Sequence, residues 1–341
     1  MEYNSQEEVD LSIIIKTFNE EKNIGRCIEA ILSSLNDIAL EIIVADSSST
    51  DRTVDTAASY PVTVVQLANP KERSCGIGPQ LGFQHSRGQY VLILDADMVL
   101  HAKFVRYALE RMKNDSRCGG IGGKLVECSG SGYEYDLRRS TNQSQEEVNW
   151  LDGGGVYRRE AIMSVGYLSN RNLHAYEEKE LGLRLRHAGW HLYRTAEVAV
   201  DHYGYTIDTM KLLWRRWRSG YADACGESIR ACLGKPYVLD MILVHKAHIV
   251  CLMLHIMLIG GVLILPWHSG PLLFISFIVL LGVLAQIYRK KNLENAIHSI
   301  LHLNVFAIGL AKGLLKPQVD PMLPIRSVIR KATDPHVNPQ A

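Results

Sequence analysis

The stretch "YVLILDADMVL" (residues 90–100) sets an unbroken apolar run, Tyr90 to Leu94, against two aspartates one residue apart, Asp95 and Asp97. A short apolar run of this kind reads as a strand buried on both faces. Carboxylates at the end of such a strand are costly unless they are paired or metal-bound. A divalent cation is expected to take one of the two aspartates directly. Hard oxygen donors suit Mg²⁺ or Mn²⁺, ions that usually bridge to substrate phosphates. The plain alternative is a surface turn with Asp95 capping the next helix, and a bare D-x-D occurs often by chance.

Upstream, runs of the same kind recur at "LSIII" (11–15), "EIIVA" (41–45) and "VTVVQL" (62–67). Between the first two, "KNIGRCIEAILSSL" from Lys22 places Ile24, Cys27, Ile28, Ile31, Leu32 and Leu35 at i, i+3, i+4, i+7 spacing, a one-faced helix. Ser49 or Thr50 is placed to cap a helix beginning near Asp51. Apolar strands alternating with helices predict an α/β fold with a mostly parallel sheet covered on both faces. Ligands of such sheets sit beyond the carboxyl ends of the strands. Those ends carry Thr17, Asn19 and Glu20, then Asp46 and Ser48, then Asp95 and Asp97. "GIGPQLG" (76–82) has leucine where a dinucleotide fingerprint needs its third glycine, and no Walker loop is present. Hydride transfer and ATP hydrolysis are therefore disfavoured.

The 341 residues allow one large domain with additions. Lys and Arg number 37 against 36 Asp and Glu, so the net charge of +1 makes no case for nucleic acid. The seven cysteines show no C-x-x-C and no regular spacing, which predicts reduced thiols and argues against zinc. The start, "MEYNSQEEVD", is acidic and has no signal-peptide pattern.

Two uncharged runs follow, "IVCLMLHIMLIGGVLILPW" (249–267) and "PLLFISFIVLLGVLAQIY" (271–288). Each is near the ~20 apolar residues a membrane span needs; the alternative is a helical hairpin in a soluble core. "WRRWR" (214–218), Lys235 and Lys246 before them and "RKK" (289–291) after them place both ends in the cytosol, with the turn at 268–270 on the other side. A third segment, 296–315, contains His298, His302, Asn304 and Lys312, and either spans or lies in the interface. The basic helix "TMKLLWRRWRSGYADA" (209–224) offers Trp214, Arg215 and Arg218 to anionic headgroups or an acceptor's diphosphate. The organisation expected is a catalytic domain over 1–208, an interfacial linker over 209–245, a membrane hairpin over 246–290, and a third helix with a tail over 291–341.

Several motifs in order resemble glycosyltransferase family 2, inverting enzymes of the GT-A fold. "IIIKTFNEEKNIGRCIEAIL" resembles the opening strand and P-x-(Y/F)-N-E loop, with Thr17 taken where proline is common. "EIIVADSSSTDRT" resembles the DDGSTD segment, with Ala45 at its first aspartate and Ser47 at its glycine. "LDAD" is similar to the D-x-D, "GGGVYRREAIMSVGYL" to the glycine loop and following helix, and "VAVDHYG" to the closing histidine. "YEEKELGLRLRHAGWHL" resembles the E-D-x-D-L-x-x-R block, with Glu178 where aspartate is usual; Pro79 and Gln80 stand where Arg-Asn is frequent. The resemblance covers residues 11 to 205.

It implies transfer of one sugar from a nucleotide diphosphate sugar, UDP-linked, to a lipid-linked or polysaccharide acceptor, with Mn²⁺ or Mg²⁺ as cofactor. Asp97 and His202 would hold the cation with Asp95 close by, and Thr17, Asn19, Glu20, Asp46, Ser48, Arg73 and Gln80 would hold the nucleotide sugar. Asp152, Gly153 and Gly154 would form the donor or acceptor loop, because glycine lets backbone approach a ligand closely. Glu178 would be the base and Glu177 its companion. Repulsion between adjacent carboxylates raises one pKa, which helps a base near neutral pH. Glu180, also in a first helical turn, has the simpler reading of a dipole complement. The long-polymer motif Q-x-x-R-W is not seen, which implies non-processive transfer. Transfer to a polyprenyl phosphate, or a non-catalytic membrane scaffold, are the alternatives. The polar segment 125–150 is expected to be an acceptor loop.

Overall fold

The computed structural model describes residues 9–129, 146–204, 208–264, 270–290 and 293–333. Its strands are β1 (Leu11–Thr17), β2 (Leu40–Asp46), β3 (Thr63–Leu67), β4 (Tyr90–Asp95), β5 (Met98–Leu100), β6 (Cys118–Glu127), β7 (Glu146–Glu147), β8 (Val156–Arg158), β9 (His191–His202) and β10 (Ser327–Lys331). Its helices are α1 (Ile24–Ser34), α2 (Thr53–Ala58), α3 (Ile77–Gln84), α4 (Ala102–Asn114), α5 (Arg159–Ser164), α6 (Glu177–His187), α7 (Thr209–Arg218), α8 (Ala224–Ala231), α9 (Val238–Val244), α10 (Lys246–Ile264), α11 (Gly270–Lys290) and α12 (Leu293–Leu315).

The strands form one sheet in the order β10-β3-β2-β1-β4-β8-β6-β9-β5, with β7 on β9. β3, β2, β1 and β4 run parallel, as their unbroken apolar runs require. Their residues alternate between two cores: Ile13, Ile15 and Leu92 pack under α1 and α4, while Ile14, Val91 and Ile93 pack under α3, α5 and α6. β8 joins antiparallel to β4, and β6 and β9 pair in parallel beyond it.

Local details depart from the expectations. α2 begins at Thr53 with no side-chain cap. Ser49 is turned to Asp46 instead, and Thr50 donates its backbone N–H to Asn19. Ser48, not Ser47, holds the left-handed backbone (φ 62°) that glycine favours, so the DDGSTD register runs one residue later than the sequence reading placed it. After Asp95 the chain turns at Ala96–Asp97 rather than staying extended, and both aspartates line the same cleft.

Beyond β9 the chain builds a third core where the long apolar helices begin. Leu183, Leu213, Cys225, Ile229, Met241, Phe306 and Leu310 pack together there. α8 and α12 cross at backbone contact: a Cβ on Gly313 would lie 2.0 Å from the carbonyl oxygen of Asp223, and one on Gly226 2.1 Å from that of Leu310. Lys312 and Lys316 meet the buried Asp223 at 3.2 and 2.9 Å. Residues 246–263 and 293–315 form helices long and apolar enough to cross a membrane. α11, 21 residues long, leaves Leu273, Phe274, Leu280 and Leu284 exposed. The 268–270 turn and most of the 125–150 loop lie outside the described residues.

The segment expected as a tail is part of the sheet. β10 pairs antiparallel with β3, Ile325 is buried, and Gln84 exchanges two hydrogen bonds with the Ile325 backbone. Both ends of the 246–315 helical segment thus belong to one folded unit, and any membrane between them is crossed an even number of times. In sealed vesicles carrying single-cysteine variants at Leu243 and Val319, both exposed, an impermeant maleimide is expected to label the two from the same face. Labelling from opposite faces would contradict the fold.

Candidate active site

The carboxyl ends of β1 and β4, the loop before β8, the first turn of α6 and the end of β9 enclose a cleft of about 950 Å³. On one wall, the Asp97 carboxylate lies 3.3 Å from His202 Nε2, and His202 Nδ1 meets Glu127 at 2.7 Å. Glu127 ends β6 directly opposite His202 on β9 in the parallel register. Burial alone would lower the His202 pKa, but Asp97 and Glu127 outweigh it and carry the imidazolium up to about 9. Hydrogen bonds and charge from His202 hold Asp97 below the usual carboxylate range despite its burial. A carboxylate oxygen beside an imidazole nitrogen whose other nitrogen is pinned by a carboxylate is a donor set that suits Mn²⁺ or a similar cation.

The opposite wall is the start of α6. Tyr176, with φ 68°, swings the chain so that Glu177 and Glu178 enter the cleft while Glu180 turns inward. Glu180 is fully buried, takes Arg184 Nε at 2.9 Å and accepts from the Tyr167 hydroxyl at 2.8 Å. Arg184 also donates to the carbonyls of Val165, Tyr167 and Leu168. That buried pair, joined through Glu180 Oε1, anchors the helix and turns Glu180 away from the cleft.

Between the walls sits Lys16, whose ammonium lies 3.2 Å from Asp95, 3.6 Å from Glu177 and 3.9 Å from Glu178. Burial opposes its charge, but the carboxylates prevail and hold its pKa well above the ordinary lysine value. Desolvation and repulsion from Glu177 push the Glu178 carboxyl up to about 8, Lys16 pulling the other way. Lys16 escaped the sequence reading because the motif was matched one residue late. Counting back from Phe18-Asn19-Glu20 puts Lys16, not Thr17, at the proline of P-x-(Y/F)-N-E. Glu127 escaped because its glycine-rich strand, "CGGIGGKLVE", shows no strand pattern.

Thr17, Glu20, Arg73, Asp95, Asp97, Asp152, Gly153, Glu177, Glu178 and His202 line the cleft. Arg73 donates to the carbonyls of Ser47 and Ser48 and stacks 3.6 Å over Phe18, which shapes one end. Gly154 supports the loop from behind, since its φ of 82° and a Cβ 2.8 Å from Val200 both exclude a side chain. Asp152 pairs with Arg194 at 2.6 Å.

The remaining expected residues stand off the cleft wall. Asp46 is buried beneath it, accepting from Ser49 and Gln66. Ser48 donates to Leu67, and Asn19 accepts from the Thr50 amide, so both fix the loops. Gln80 takes the amides of Leu168 and Ser169. Trp214, Arg215 and Arg218 are exposed on α7, although Ser219 and Tyr221 just beyond it do line the cleft.

Residues 90–310 match the model of glycosyl transferase family group 2, and residues 12–165 that of glycosyl transferase family 2. The chain belongs to this glycosyltransferase family. It is 31% identical over 121 residues to a dolichol-phosphate mannosyltransferase of Pyrococcus furiosus, covering 34% of this chain and 34% of that protein. To the probable glycosyltransferase YdaM of Bacillus subtilis it is 26% identical over 242 residues, covering 64% of this chain and 56% of the other. The chain thus spans from a third to just over half the length of these relatives. The mannosyltransferase PcManGT of Pyrobaculum calidifontis, solved with GDP-Man and Mn²⁺, superposes with a TM-score of 0.59 at 16% identity, over 90% of this chain and 87% of that one. The shared fold is GT-A.

Removing one partner of a buried ion pair strands the other charge, at about 3–5 kcal/mol. Arg184→Ala is therefore expected to lower the urea midpoint of the purified protein strongly, whereas Asp152→Ala, exposed at the rim, leaves it nearly unchanged.

Proposed function

We propose that this protein is a membrane-anchored, metal-dependent, inverting glycosyltransferase. It moves a single sugar from a nucleotide diphosphate sugar, UDP-linked, onto a lipid-linked or polysaccharide acceptor at the cytosolic face. The observation that carries this reading is one cleft with Asp97 and His202 on one wall and Glu178, raised to about 8, on the other. Asp97 and His202 would hold Mn²⁺ or Mg²⁺, which when bound supplies positive charge against the diphosphate leaving group. Arg73 and the loops fixed by Asn19, Asp46 and Ser48 would shape the nucleotide end. Glu178 accepts the proton of the acceptor hydroxyl; Lys16 steadies the deprotonated form, and Glu177 keeps its affinity for the proton high. Attack from the Glu178 side, opposite the diphosphate, inverts the anomeric centre. Trp214, Arg215 and Arg218 would rest on anionic headgroups, and α10 and α11 would anchor the chain.

Hydrolysis of a panel of nucleotide sugars by detergent-purified protein, with and without Mn²⁺, tests the donor and the metal requirement. No turnover and no calorimetric binding of nucleoside diphosphates with Mn²⁺ would refute the reading in favour of a scaffold.

A base with this pKa predicts kcat/KM rising with pH through a midpoint near 8, because below it the Glu178 carboxyl keeps its proton. Lys16→Met removes the charge favouring the carboxylate, so the rising limb is expected to move to higher pH. Glu178→Gln should lower kcat by about 10²–10⁴-fold and abolish that limb.

A polyprenyl-phosphate acceptor is the second reading. It is supported by the dolichol-phosphate relative and by Lys179, which lines the cleft 4.8 Å from the Trp150 ring centre. A phosphate needs no strong base, so retention of most activity in Glu178→Gln would favour it.

A further inference from the structure

Beneath the catalytic turn, where α8, α9 and α10 meet, lies a group of metal-type donors that the transfer reaction does not use. Cys225 on α8, His245 after α9 and His248 in the first turn of α10 each offer one ligand atom, all within 4.8 Å of one another. The hydrogen bonds decide what the first ring presents. The Ser228 hydroxyl donates to the Cys225 carbonyl at 3.1 Å and lies 2.9 Å from His245 Nε2. That hydroxyl thus occupies His245 Nε2. It leaves His245 Nδ1 buried and, among the described residues, without a hydrogen-bond partner, in a residue only 1% exposed. His248 Nδ1 stands 3.8 Å from Cys225 Sγ. A buried polar nitrogen left unmatched is costly, and a bound cation would match it. A histidine tied outward through one nitrogen, with the other facing a thiol and a second imidazole, is how metal ligands are commonly held.

We propose that Cys225, His245 and His248 bind a borderline-soft divalent cation, Zn²⁺ by its donor preferences. With Zn–S near 2.3 Å and Zn–N near 2.0 Å, donors of a tetrahedral site stand about 3.4–3.6 Å apart. The Cys225–His248 pair is already close to that edge. On binding, the Cys225 thiol loses its proton to solvent and its sulfur bonds the metal; nothing is oxidised or reduced. Cys225 Sγ donates to the Tyr176 hydroxyl at 3.5 Å, and the His245 ring meets the Tyr176 ring edge-on at 4.6 Å. Tyr176 is the left-handed residue immediately before Glu177 and Glu178. The cation therefore clamps the start of the first long apolar helix against the turn that presents the catalytic carboxylates. Its role is positional. Cysteine spacing argued against zinc because two ligands are histidines, one of them twenty positions beyond Cys225.

The test is metal analysis of the full-length protein in detergent, followed by Co²⁺ titration of the metal-stripped form. The expected result is one equivalent of Zn²⁺ and a thiolate-to-Co²⁺ charge-transfer band in the near ultraviolet. Cys225→Ser should lose both and His248→Gln most of the affinity. Asp97→Asn, which alters the cleft wall, should keep both, separating this site from the cation expected there. Trace zinc with no charge-transfer band in the unaltered protein overturns the proposal, and so does undiminished zinc in both Cys225→Ser and His248→Gln.

Discussion

One buried ammonium group organises the cleft. Lys16 follows three isoleucines at the next-to-last position of β1, and it meets carboxylates from two elements distant in sequence, Asp95 at the end of β4 and Glu177 and Glu178 on α6. Three carboxylates this close would repel one another, and shielding from water strengthens that repulsion. One cation among them makes the arrangement tenable without neutralising it fully. The uncompensated remainder falls on Glu178, the carboxyl pushed highest. The same balance leaves Asp97 out: its charge is answered by His202 on the other wall. The cleft is thereby divided into a wall that holds negative charge and a wall that takes up protons.

That division needs α6 to start at a fixed place. Acids in the first turn favour the positive end of the helix dipole, but the dipole alone does not choose among Glu177, Glu178 and Glu180. Burial chooses. Glu180 is drawn under the sheet by Arg184 and Tyr167, and the left-handed Tyr176 turns the preceding chain so that the first two acids face outward. The helix is thus held by a residue turned away from the cleft, within one turn of two acids that line it.

The first four strands and α1 were legible because apolar runs and 3.6-residue periodicity report burial directly. That Asp95, Asp97, Glu178 and His202 share one cleft was legible because ligand clefts of such sheets lie beyond the carboxyl ends of the strands. Other features depend on pairings that sequence spacing does not encode. β6 is rich in glycine because large neighbours crowd it: a Cβ on Gly119 would lie 2.8 Å from Trp190, and one on Gly123 2.7 Å from Ala199. Its Glu127 gains meaning only from lying opposite His202. Asp46 and Ser48 beyond β2 and Gln80 on α3 are polar residues expected at the nucleotide sugar, yet their hydrogen bonds hold loops in place. Residue type reveals that a polar group needs a partner; it does not reveal whether that partner is a ligand or the next loop.

The path of the chain adds a mechanical consequence. After the apolar helices, α12 crosses α8 at backbone contact, its terminal Lys316 reaches Asp223 and Glu227, and β10 then closes the far edge of the sheet. Glu227 also takes the amide and the ring of His174, two residues before the left-handed turn. A displacement of the apolar helices is therefore conveyed through α8 to residues 174–178, and through β10 to the opposite edge of the sheet. An anchor attached by a single linker would leave the cleft free to face any direction. Held at both ends, the cleft keeps a constant orientation to the apolar helices.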